Sequence, residues 1–358
     1  DGIRDITRSR GLGAVQAAED HRYSVGVAIL RDRLVGVLTN LRGDPLSKVT
    51  VRALEGPAPP APVDERTVAA EVGQLVRDLR HMQPDPSKEV VGLGVNLAGH
   101  VDATTGHVLH SPVLGWRTPV PLQRMLEEET QLPTVIENDA NALALHQLLF
   151  GAGQSVSNFV VVMISDDGRG IGAGLVIDDN LYRGNDRGAG EIGHMVVEPG
   201  GRRCRCGQKG CLEAVVGVGA ILEFIKSHGG PALKDVLEVR RLATQDDHNG
   251  QLAREALTIT GERLGRGISY LVQLFNPAQV ILVGPSALLG PNNGSENLYV
   301  KTTWATVTKL GFTTLAKNCK QVTESPPQDS GARAAAVVAV NRFAAHPPIA
   351  SPNLLVAI

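Results

Sequence analysis

The sequence predicts an α/β protein built from two similar lobes. Apolar runs typical of strands alternate along the chain with stretches of helical spacing, and each half begins with a strand-rich segment. In the first half, residues 23–41 are predicted to form a hairpin with a tight turn at Arg31–Arg33. In the second half, two predicted strands at 159–165 and 173–177 flank a glycine-rich turn. The recurrence of a strand-rich opening indicates two lobes of related architecture.

The remaining predicted elements continue the alternation. Helices are predicted at 65–81, 121–130, 138–149, 218–228, 233–243, 250–275 and 330–343, and further strands at 90–97, 134–137 and 279–283. Residues 56–63 are mostly proline and alanine, which predicts an exposed loop.

Composition and charge limit the functional classes. The chain has 358 residues, of which 42% are hydrophobic and 20% charged, and a formal net charge of -2. This balance gives no overall attraction to nucleic acid or anionic membranes, so such a partner needs a local patch or a segment absent from this chain. No apolar run approaches the roughly 18 residues of a membrane span. Residues 1–20 lack the apolar core of a signal peptide. We therefore expect a cytoplasmic protein.

Three of the four cysteines lie close together in the sequence. The first of them, Cys204, lies ten positions after His194, and Cys206 and Cys211 follow it. Glycines at 207 and 210 allow the backbone between the cysteines to turn tightly. Three thiolates and one imidazole form a closed tetrahedral zinc set, which leaves no position for a reactive water. We therefore predict a structural zinc site. The alternative is a set of buried or redox-sensitive cysteines without a metal.

Several motifs surround this cluster and resemble those of a known family. They are Gly94–Gly99, Ser111–Trp116, Glu137–Asn141, Gly170–Asp178, Tyr182–Gly184, Gly188–His194, the cysteines with Leu212-Glu213, and Phe275-Asn-Pro277. Together they closely resemble the ROK family of repressors, open reading frames and sugar kinases, over roughly residues 23–343. The block from the glycines to the cysteines is the most specific part of the resemblance.

The resemblance implies a ribonuclease-H-like fold of the actin and hexokinase type, with a zinc loop. On this basis the first lobe is expected at 23–136 and 329–345, and the second lobe, with the zinc loop and sugar site, at 137–328. Residues 1–22 are expected to be the remnant of a wing and linker, and residues 346–358 a tail.

The resemblance also implies a sugar site lined by Asn138, Asp139, Glu191, His194 and Glu213. Carboxylates and amides suit a sugar because they accept and donate paired hydrogen bonds with its hydroxyls. One ring nitrogen of His194 is expected to bind zinc and the other to reach the sugar. Other interpretations remain for these residues: the two glutamates as solvated surface charges, and Asn138-Asp139 as a helix N-cap, which is compatible with ligand binding.

The nucleotide side of the family pattern is altered. ROK kinases use the residue matching Asp139 as general base, and bind phosphate with a motif that is replaced here by Ala28-Ile-Leu-Arg-Asp32. Pro285 follows the late strand where kinases have a second glycine, and Asp166-Asp167 precede the glycine turn. Proline removes a backbone amide that could bind phosphate, and the two aspartates add negative charge that repels ATP. We therefore predict that MgATP does not bind. Val113 stands where family members often have asparagine, which leaves the sugar unidentified.

This pattern resembles the repressor branch of the family, and predicts a sugar-responsive transcriptional regulator instead of an enzyme. Residues Gly2–Gly11 resemble the end of a winged helix-turn-helix, although a frayed basic terminus explains them equally. We expect a sugar or sugar phosphate to bind between the lobes, operator DNA to bind an N-terminal region mostly absent here, and a homodimer or homotetramer. The alternatives are an ATP-dependent sugar kinase with Asp139 as base, and a zinc-stabilised interaction protein without a sugar ligand.

Overall fold

A computed structural model describes residues 22–56, 61–165, 168, 170–290 and 297–345. The chain divides into two compact units, the first formed by residues up to Phe150 and from Asp329 onwards, the second by Gly151–Gln328. The first unit therefore includes the helix that follows Asn138, whereas the sequence-based boundary lies before it. This helix packs against the helix that begins at Ser330, which keeps it in the first unit. Residues 1–21, with the expected wing remnant, and the tail from 346 lie outside the described residues.

The elements alternate as the sequence predicts. In chain order they are β1 (Arg22–Ile29), β2 (Arg33–Thr39), β3 (Thr50–Ala53), α1 (Glu65–His81), β4 (Glu89–Leu97), β5 (His100–Asp102), β6 (His107–His110), α2 (Leu122–Thr130), β7 (Thr134–Asn138), α3 (Asp139–Phe150), β8 (Phe159–Ile164), β9 (Ile171–Ile177), β10 (Asn180–Tyr182), a 3-10 turn (Ile192–His194), α4 (Leu212–Val216), α5 (Val218–Ser227), α6 (Val236–Leu242), α7 (His248–Phe275), β11 (Gln279–Val283), α8 (Ser286–Leu289), α9 (Leu298–Leu310), α10 (Thr313–Asn318), β12 (Lys320–Glu324), α11 (Ser330–Ala339) and a π-helical turn (Val340–Ala345).

Each unit contains a five-stranded sheet, and the two sheets have the same topology. The strand order is β3-β2-β1-β4-β7 in the first unit and β10-β9-β8-β11-β12 in the second. In both sheets the first three strands pair antiparallel, and the next two are added parallel to the first strand. The prediction of two similar lobes is therefore confirmed.

In the first unit, helix α11 lies unusually close to the sheet. A Cβ atom at Gly26 of β1 would overlap the carbonyl oxygen of Ala332, and one at Gly94 of β4 would overlap that of Ala335. Ser24 also donates a hydrogen bond of 3.0 Å to the carbonyl oxygen of Ala336. Only glycine on the strands allows the backbones to approach this closely, and the alanines of α11 match the narrow space.

In the second unit, helix α9 packs along the 28-residue helix α7. Helix α9 was not predicted from the sequence, because threonine, valine and aromatic residues dominate it and favour strands. Asn297 caps its N-terminus by accepting a 3.2 Å hydrogen bond from the amide of Val300. Buried Tyr299 donates a hydrogen bond to the carbonyl oxygen of Val216, which ties α9 to α4. Tertiary packing therefore overrides local propensity here.

Among the described residues, no helix combines the length and apolar character needed to span a lipid bilayer.

Helix α3 carries a histidine whose ionisation affects stability. His146 is largely buried, and its Nδ1 atom has no hydrogen-bond partner within the described part of the chain. Burial lowers the pKa of His146 to about 4, with a further contribution from the charge of Arg333, while Asp44 acts in the opposite direction. The imidazole is therefore neutral in the folded protein at pH 7.

We expect His146→Leu to reduce the loss of stability in mild acid. Between the ordinary histidine pKa of 6.5 and about 4, the unfolded chain binds a proton that the folded chain does not, so the free energy of unfolding falls as pH falls. At pH 5 this difference amounts to about 2 kcal/mol. Urea unfolding at pH 7.5 and 5 measures it.

Substitution of the exposed His81 by leucine is the matched control, since both variants lose one histidine. Equal acid sensitivity of the wild type and His146→Leu would contradict the assignment.

Candidate functional site

In the first unit, the predicted polar residues lie where strand β7 passes directly into helix α3. The side-chain oxygen of Asn138 accepts hydrogen bonds from the amides of Ala140, at 2.9 Å, and Asn141, at 3.1 Å, so Asn138 caps the helix. Asp139 is half-buried and begins the first turn of α3. Asn138 therefore forms the helix N-cap through its side-chain oxygen, and Asp139 places a carboxylate directly after the cap.

The end of strand β7 is hydrogen-bonded to the turn that follows β4. The side-chain amide of Asn138 donates a 3.0 Å hydrogen bond to the carbonyl oxygen of Gly99, in the turn after β4. Next to it, the hydroxyl of Ser111 donates a 2.8 Å hydrogen bond to the carbonyl oxygen of Ala98. The loop Ser111–Trp116 is thereby held next to the residue that precedes Asp139.

Arg31, in the turn between β1 and β2, fastens the same loop from the other side. Its Nη1 atom donates a 3.1 Å hydrogen bond to the carbonyl oxygen of Val113, and its Nη2 atom a 2.9 Å hydrogen bond to that of Ala61. The forked guanidinium can bridge two carbonyl groups in this way, which an ammonium group on a single atom does less well. Arg31 therefore connects three segments that are distant in sequence.

In the second unit, the cysteine segment forms a small hairpin. The amide of Cys204 donates a 2.8 Å hydrogen bond to the carbonyl oxygen of Gln208, and Arg203 pairs with Lys209 in an antiparallel bridge. Gly207 and Gly210 have positive φ angles of 96° and 79°, as the tight backbone requires. Cys211 pairs with Val196, which brings the hairpin next to His194.

The four predicted metal ligands converge at the base of this hairpin. One donor atom from each of His194, Cys204, Cys206 and Cys211 lies within 4.8 Å of the others. The distance from Cys204 Sγ to His194 Nδ1 is 3.6 Å, and the distance from Cys206 Sγ to Cys211 Sγ is also 3.6 Å. These four residues can therefore hold one metal ion. Cys319 lies outside the cluster and is buried, as predicted.

The protonation of the thiols is coupled to metal binding. Burial raises the pKa of Cys204 and Cys211 above the ordinary thiol value. A metal ion binds the thiolate, so its binding must displace these protons.

The orientation of His194 places both predicted glutamates beside it. Nδ1 faces the cysteines, and Nε2 lies 3.9 Å from an oxygen of Glu191. Glu213, whose side chain is only 8% exposed, lies with Oε1 3.2 Å from Cys204 Sγ and 4.0 Å from His194 Nδ1. Arg205, which was not singled out from the sequence, pairs with the other oxygen of Glu213 at 3.7 Å.

The structure thus groups the predicted residues within each unit. Asn138 and Asp139 are adjacent in the first unit, and Glu191, His194 and Glu213 are adjacent to the cysteines in the second. In the sequence, Arg31 stands out as a departure from a phosphate motif, and its contacts with carbonyl groups were not predicted. The side chain's partners are carbonyl groups, which every residue has, so no sequence signal identifies them.

Fold and site together define a ribonuclease-H-like protein with two lobes, of the actin and hexokinase type, that carries a cluster of one histidine and three cysteines. The ROK family model matches residues 25–341, and the chain belongs to the ROK family.

Curated relatives include both regulators and kinases. The chain is 30% identical over 265 residues to the xylose repressor of Bacillus subtilis, an alignment that covers 73% of this chain and 63% of the repressor. It is 33% identical over 207 residues to the glucokinase of Halalkalibacterium halodurans, covering 55% of this chain and 62% of that protein. The chain spans about half to two thirds of the length of the curated relatives that it matches.

Solved structures show the same fold. A ROK family transcriptional regulator, a homologue of Escherichia coli Mlc, superposes with a TM-score of 0.76 at 24% identity, covering 90% of this chain and 79% of that chain. A ROK glucokinase from Streptomyces griseus superposes with a TM-score of 0.70 at 24% identity, covering 88% and 98%.

We expect Arg31→Ala to loosen the loop Ser111–Trp116 while the sheet of the first unit stays intact. Two charge-assisted hydrogen bonds are lost, which corresponds to roughly 2–4 kcal/mol of local stabilisation. Hydrogen–deuterium exchange of this loop measures the effect, and faster exchange by a factor of at least about 10 is expected.

Arg33→Ala is the control, because Arg33 begins β2 directly after the same turn but its side chain pairs with the neighbouring Asp32. Unchanged exchange of Ser111–Trp116 in Arg31→Ala would show that the bridge does not hold the loop.

Proposed function

We propose that this chain is the sugar-sensing body of a cytoplasmic ROK-family transcriptional regulator. In this proposal a sugar or sugar phosphate is bound by Asn138, Asp139, Glu191, His194 and Glu213. Binding changes the operator affinity of an N-terminal winged helix-turn-helix. A ligand can do this only to the extent that it binds the DNA-bound and DNA-free states with different affinity.

The observation that carries the sugar proposal is the orientation of His194 between the cysteines and Glu191. With Nδ1 directed at the thiols, Nε2 is left for a ligand, and Glu191 lies 3.9 Å from it. An imidazole N–H beside a carboxylate offers one donor and several acceptors, which suits the adjacent hydroxyls of a sugar.

The cluster supports zinc as the bound metal. Zinc with sulfur ligands at about 2.3 Å and nitrogen at about 2.0 Å places its tetrahedral ligand atoms about 3.5–3.8 Å apart. Two of the six separations, 3.6 Å from Cys204 Sγ to His194 Nδ1 and 3.6 Å from Cys206 Sγ to Cys211 Sγ, match these values, and all four donor atoms lie within 4.8 Å of one another. With four protein ligands, the zinc stabilises the loop and takes no part in chemistry.

Zinc binding would also prepare Glu213 for a ligand. The thiol of Cys204 donates a hydrogen bond of 3.2 Å to Glu213 Oε1. When the thiol loses its proton to bind zinc, that oxygen no longer has this donor, and it can accept a hydrogen bond from a sugar hydroxyl. Arg205 continues to hold the other oxygen.

The turn between β1 and β2 supports a regulator without nucleotide binding. Ala28 is buried among Val35, Val37 and Ala332, so it offers no ligand to a metal ion. Arg31 fills the turn with a side chain that is bound to two carbonyl groups. A phosphate would need exposed backbone amides in this turn, and the buried Ala28 and the Arg31 side chain occupy that position instead. Asp166 and Asp167 lie outside the described residues.

We expect the purified chain to contain one zinc ion, and Cys206→Ser and Cys211→Ser to lose most of it, because three ligands bind zinc far less tightly than four. Metal analysis by mass spectrometry measures the stoichiometry. Cys319→Ser should retain the ion, since Cys319 is outside the cluster. Zinc retained at full stoichiometry in both cluster variants would refute the site.

We expect calorimetric titration with glucose, N-acetylglucosamine, their 6-phosphates and xylose to give saturable binding of at least one sugar, and MgATP to give neither heat nor product. Glu213→Gln should weaken that sugar by about 10-fold or more, the effect of one charged hydrogen bond. Glu223→Gln, at an exposed position on α5, is the control.

The second candidate is an ATP-dependent sugar kinase with Asp139 as general base. It is favoured by the glucokinases among the relatives, and by the half-buried carboxylate at the start of α3. Sugar-dependent formation of ADP, abolished in Asp139→Asn, would establish the kinase and overturn the regulator proposal.

A further inference from the structure

The sulfur atoms of Cys206 and Cys211 lie close together, although the two cysteines differ in exposure. Cys206 is exposed, whereas Cys211 is completely buried. Their Sγ atoms are 3.6 Å apart. A disulfide needs about 2.05 Å between its sulfurs, so the pair must approach by roughly 1.5 Å before a bond can form. One sulfur of the pair is therefore open to a reagent in solution, and the other lies beside it in the interior.

The turn between these two cysteines allows such an approach. A Cβ atom at Gly207, directly after Cys206, would meet no neighbouring atom within 4 Å, so this side of the turn has free space around it. Gly210, directly before Cys211, lies against the carbonyl oxygen of Glu198, where a Cβ atom would overlap that oxygen. Close packing thus holds the Cys211 side of the turn in place. The approach therefore requires movement of the exposed Cys206 toward a fixed Cys211.

The third cysteine of the cluster is less suited to pair with Cys206. Cys204 is buried, and its thiol donates a 3.2 Å hydrogen bond to Glu213 Oε1. Moving this sulfur would remove a donor from Glu213, a carboxylate whose side chain is only 8% exposed. Cys319 lies outside the cluster. Cys211 is therefore the partner that the geometry favours for Cys206.

The surroundings of Cys206 are strongly basic. Four exposed basic residues lie within four positions of it: Arg202, Arg203, Arg205 and Lys209. Within the described part of the chain, only Arg205 among the four makes an ion pair, with Glu213. Exposed cysteines in electropositive surroundings are the ones that react with oxidants, whereas buried structural cysteines are inert. Cys206 is thus the member of the cluster that an oxidant can attack.

We propose that Cys206 and Cys211 are a redox-sensitive pair, which a hydroperoxide converts into a disulfide. In the first step, the sulfur of Cys206 takes one oxygen atom from the hydroperoxide and becomes a sulfenic acid, while the rest of the peroxide leaves as an alcohol, or as water if the reagent is hydrogen peroxide. In the second step, the thiol of Cys211 attacks the sulfur of the sulfenic acid and displaces its hydroxyl group, which leaves as water. The two thiols lose two hydrogen atoms and two electrons, and the peroxide gains them.

The disulfide removes two of the four candidate metal ligands. Only His194 and Cys204 would remain, and two protein ligands do not form the closed set that a structural zinc ion needs. Oxidation of the pair therefore lowers the metal content of the chain, and a dithiol reductant reverses it by thiol–disulfide exchange. This chemistry is independent of a sugar. An effect on a sugar bound at Glu213 rests on the proposed function.

Peptide mapping of the oxidised chain tests the proposal. The purified chain, with the metal that it carries, is treated with hydrogen peroxide under native conditions, alkylated and digested with trypsin. Cleavage after Arg203, Arg205 and Lys209 separates the three cysteines, so each possible disulfide gives a different pair of peptides. We expect the pair that joins Cys206 to Cys211, and an intact mass lower by two hydrogen atoms. A chromogenic chelator should detect zinc released in proportion to the disulfide, and dithiothreitol should restore the original mass.

Serine variants of the three cluster cysteines are matched, because each removes one candidate metal ligand. Cys206→Ser and Cys211→Ser should lose the internal disulfide, whereas Cys204→Ser should still form it. In Cys211→Ser, the sulfenic acid of Cys206 should persist and react with dimedone, because its partner thiol is missing. Cys319→Ser, outside the cluster, should behave like the wild type. Circular dichroism confirms that each variant is folded.

Four results would overturn the proposal. They are an oxidised wild type without the disulfide between Cys206 and Cys211, a disulfide that involves Cys204 or Cys319 instead, an internal disulfide that persists in Cys206→Ser or Cys211→Ser, and an oxidised mass that dithiothreitol does not restore. Neither a sugar nor DNA is present in these measurements. A failure here is therefore distinct from a failure of the proposed function.

Discussion

The convergence of three thiols and one imidazole is the constraint on which the site in the second unit depends. The hairpin that carries the cysteines has glycines and exposed basic residues and no apolar core of its own. Its backbone hydrogen bonds define a turn, but they do not direct the side chains toward one point. A metal ion bound by all four residues would supply that direction, and it would also fix the orientation of His194 and of the neighbouring Glu213.

The first unit obtains its order in a different way. Close packing of α11 against β1 and β4 depends on glycine in the strands and alanine in the helix. The loops near Asp139 are held by hydrogen bonds to backbone carbonyl groups from Asn138, Ser111 and Arg31. Asn138 and Asp139 are therefore positioned by packing and hydrogen bonds, whereas Glu191 and Glu213 lie beside the histidine and cysteine cluster.

The sequence predicted the strongly patterned elements closely. Helix α1 and strand β11 have the predicted ends, because a regular apolar face and a continuous apolar run are unambiguous signals. Helix α9 and strand β12 were missed. The residues of α9 favour strands, and β12 is short and only partly buried, so both depend on neighbours that are distant in sequence. The sequence also identified all four members of the histidine and cysteine cluster, because cysteines and histidine have few other reasons to occur together.

The sequence by itself determined the α/β class, the two related lobes, the family and the set of residues that can hold a metal. Each of these depends on the spacing of apolar residues, on short motifs or on rare residue types such as cysteine, which the sequence shows directly. Only the tertiary structure decided which ring nitrogen of His194 faces the cysteines and which carbonyl groups Arg31 binds. These depend on distances between segments that are far apart along the chain. Backbone carbonyl groups are present in every residue, so the local sequence does not identify which of them a side chain will bind.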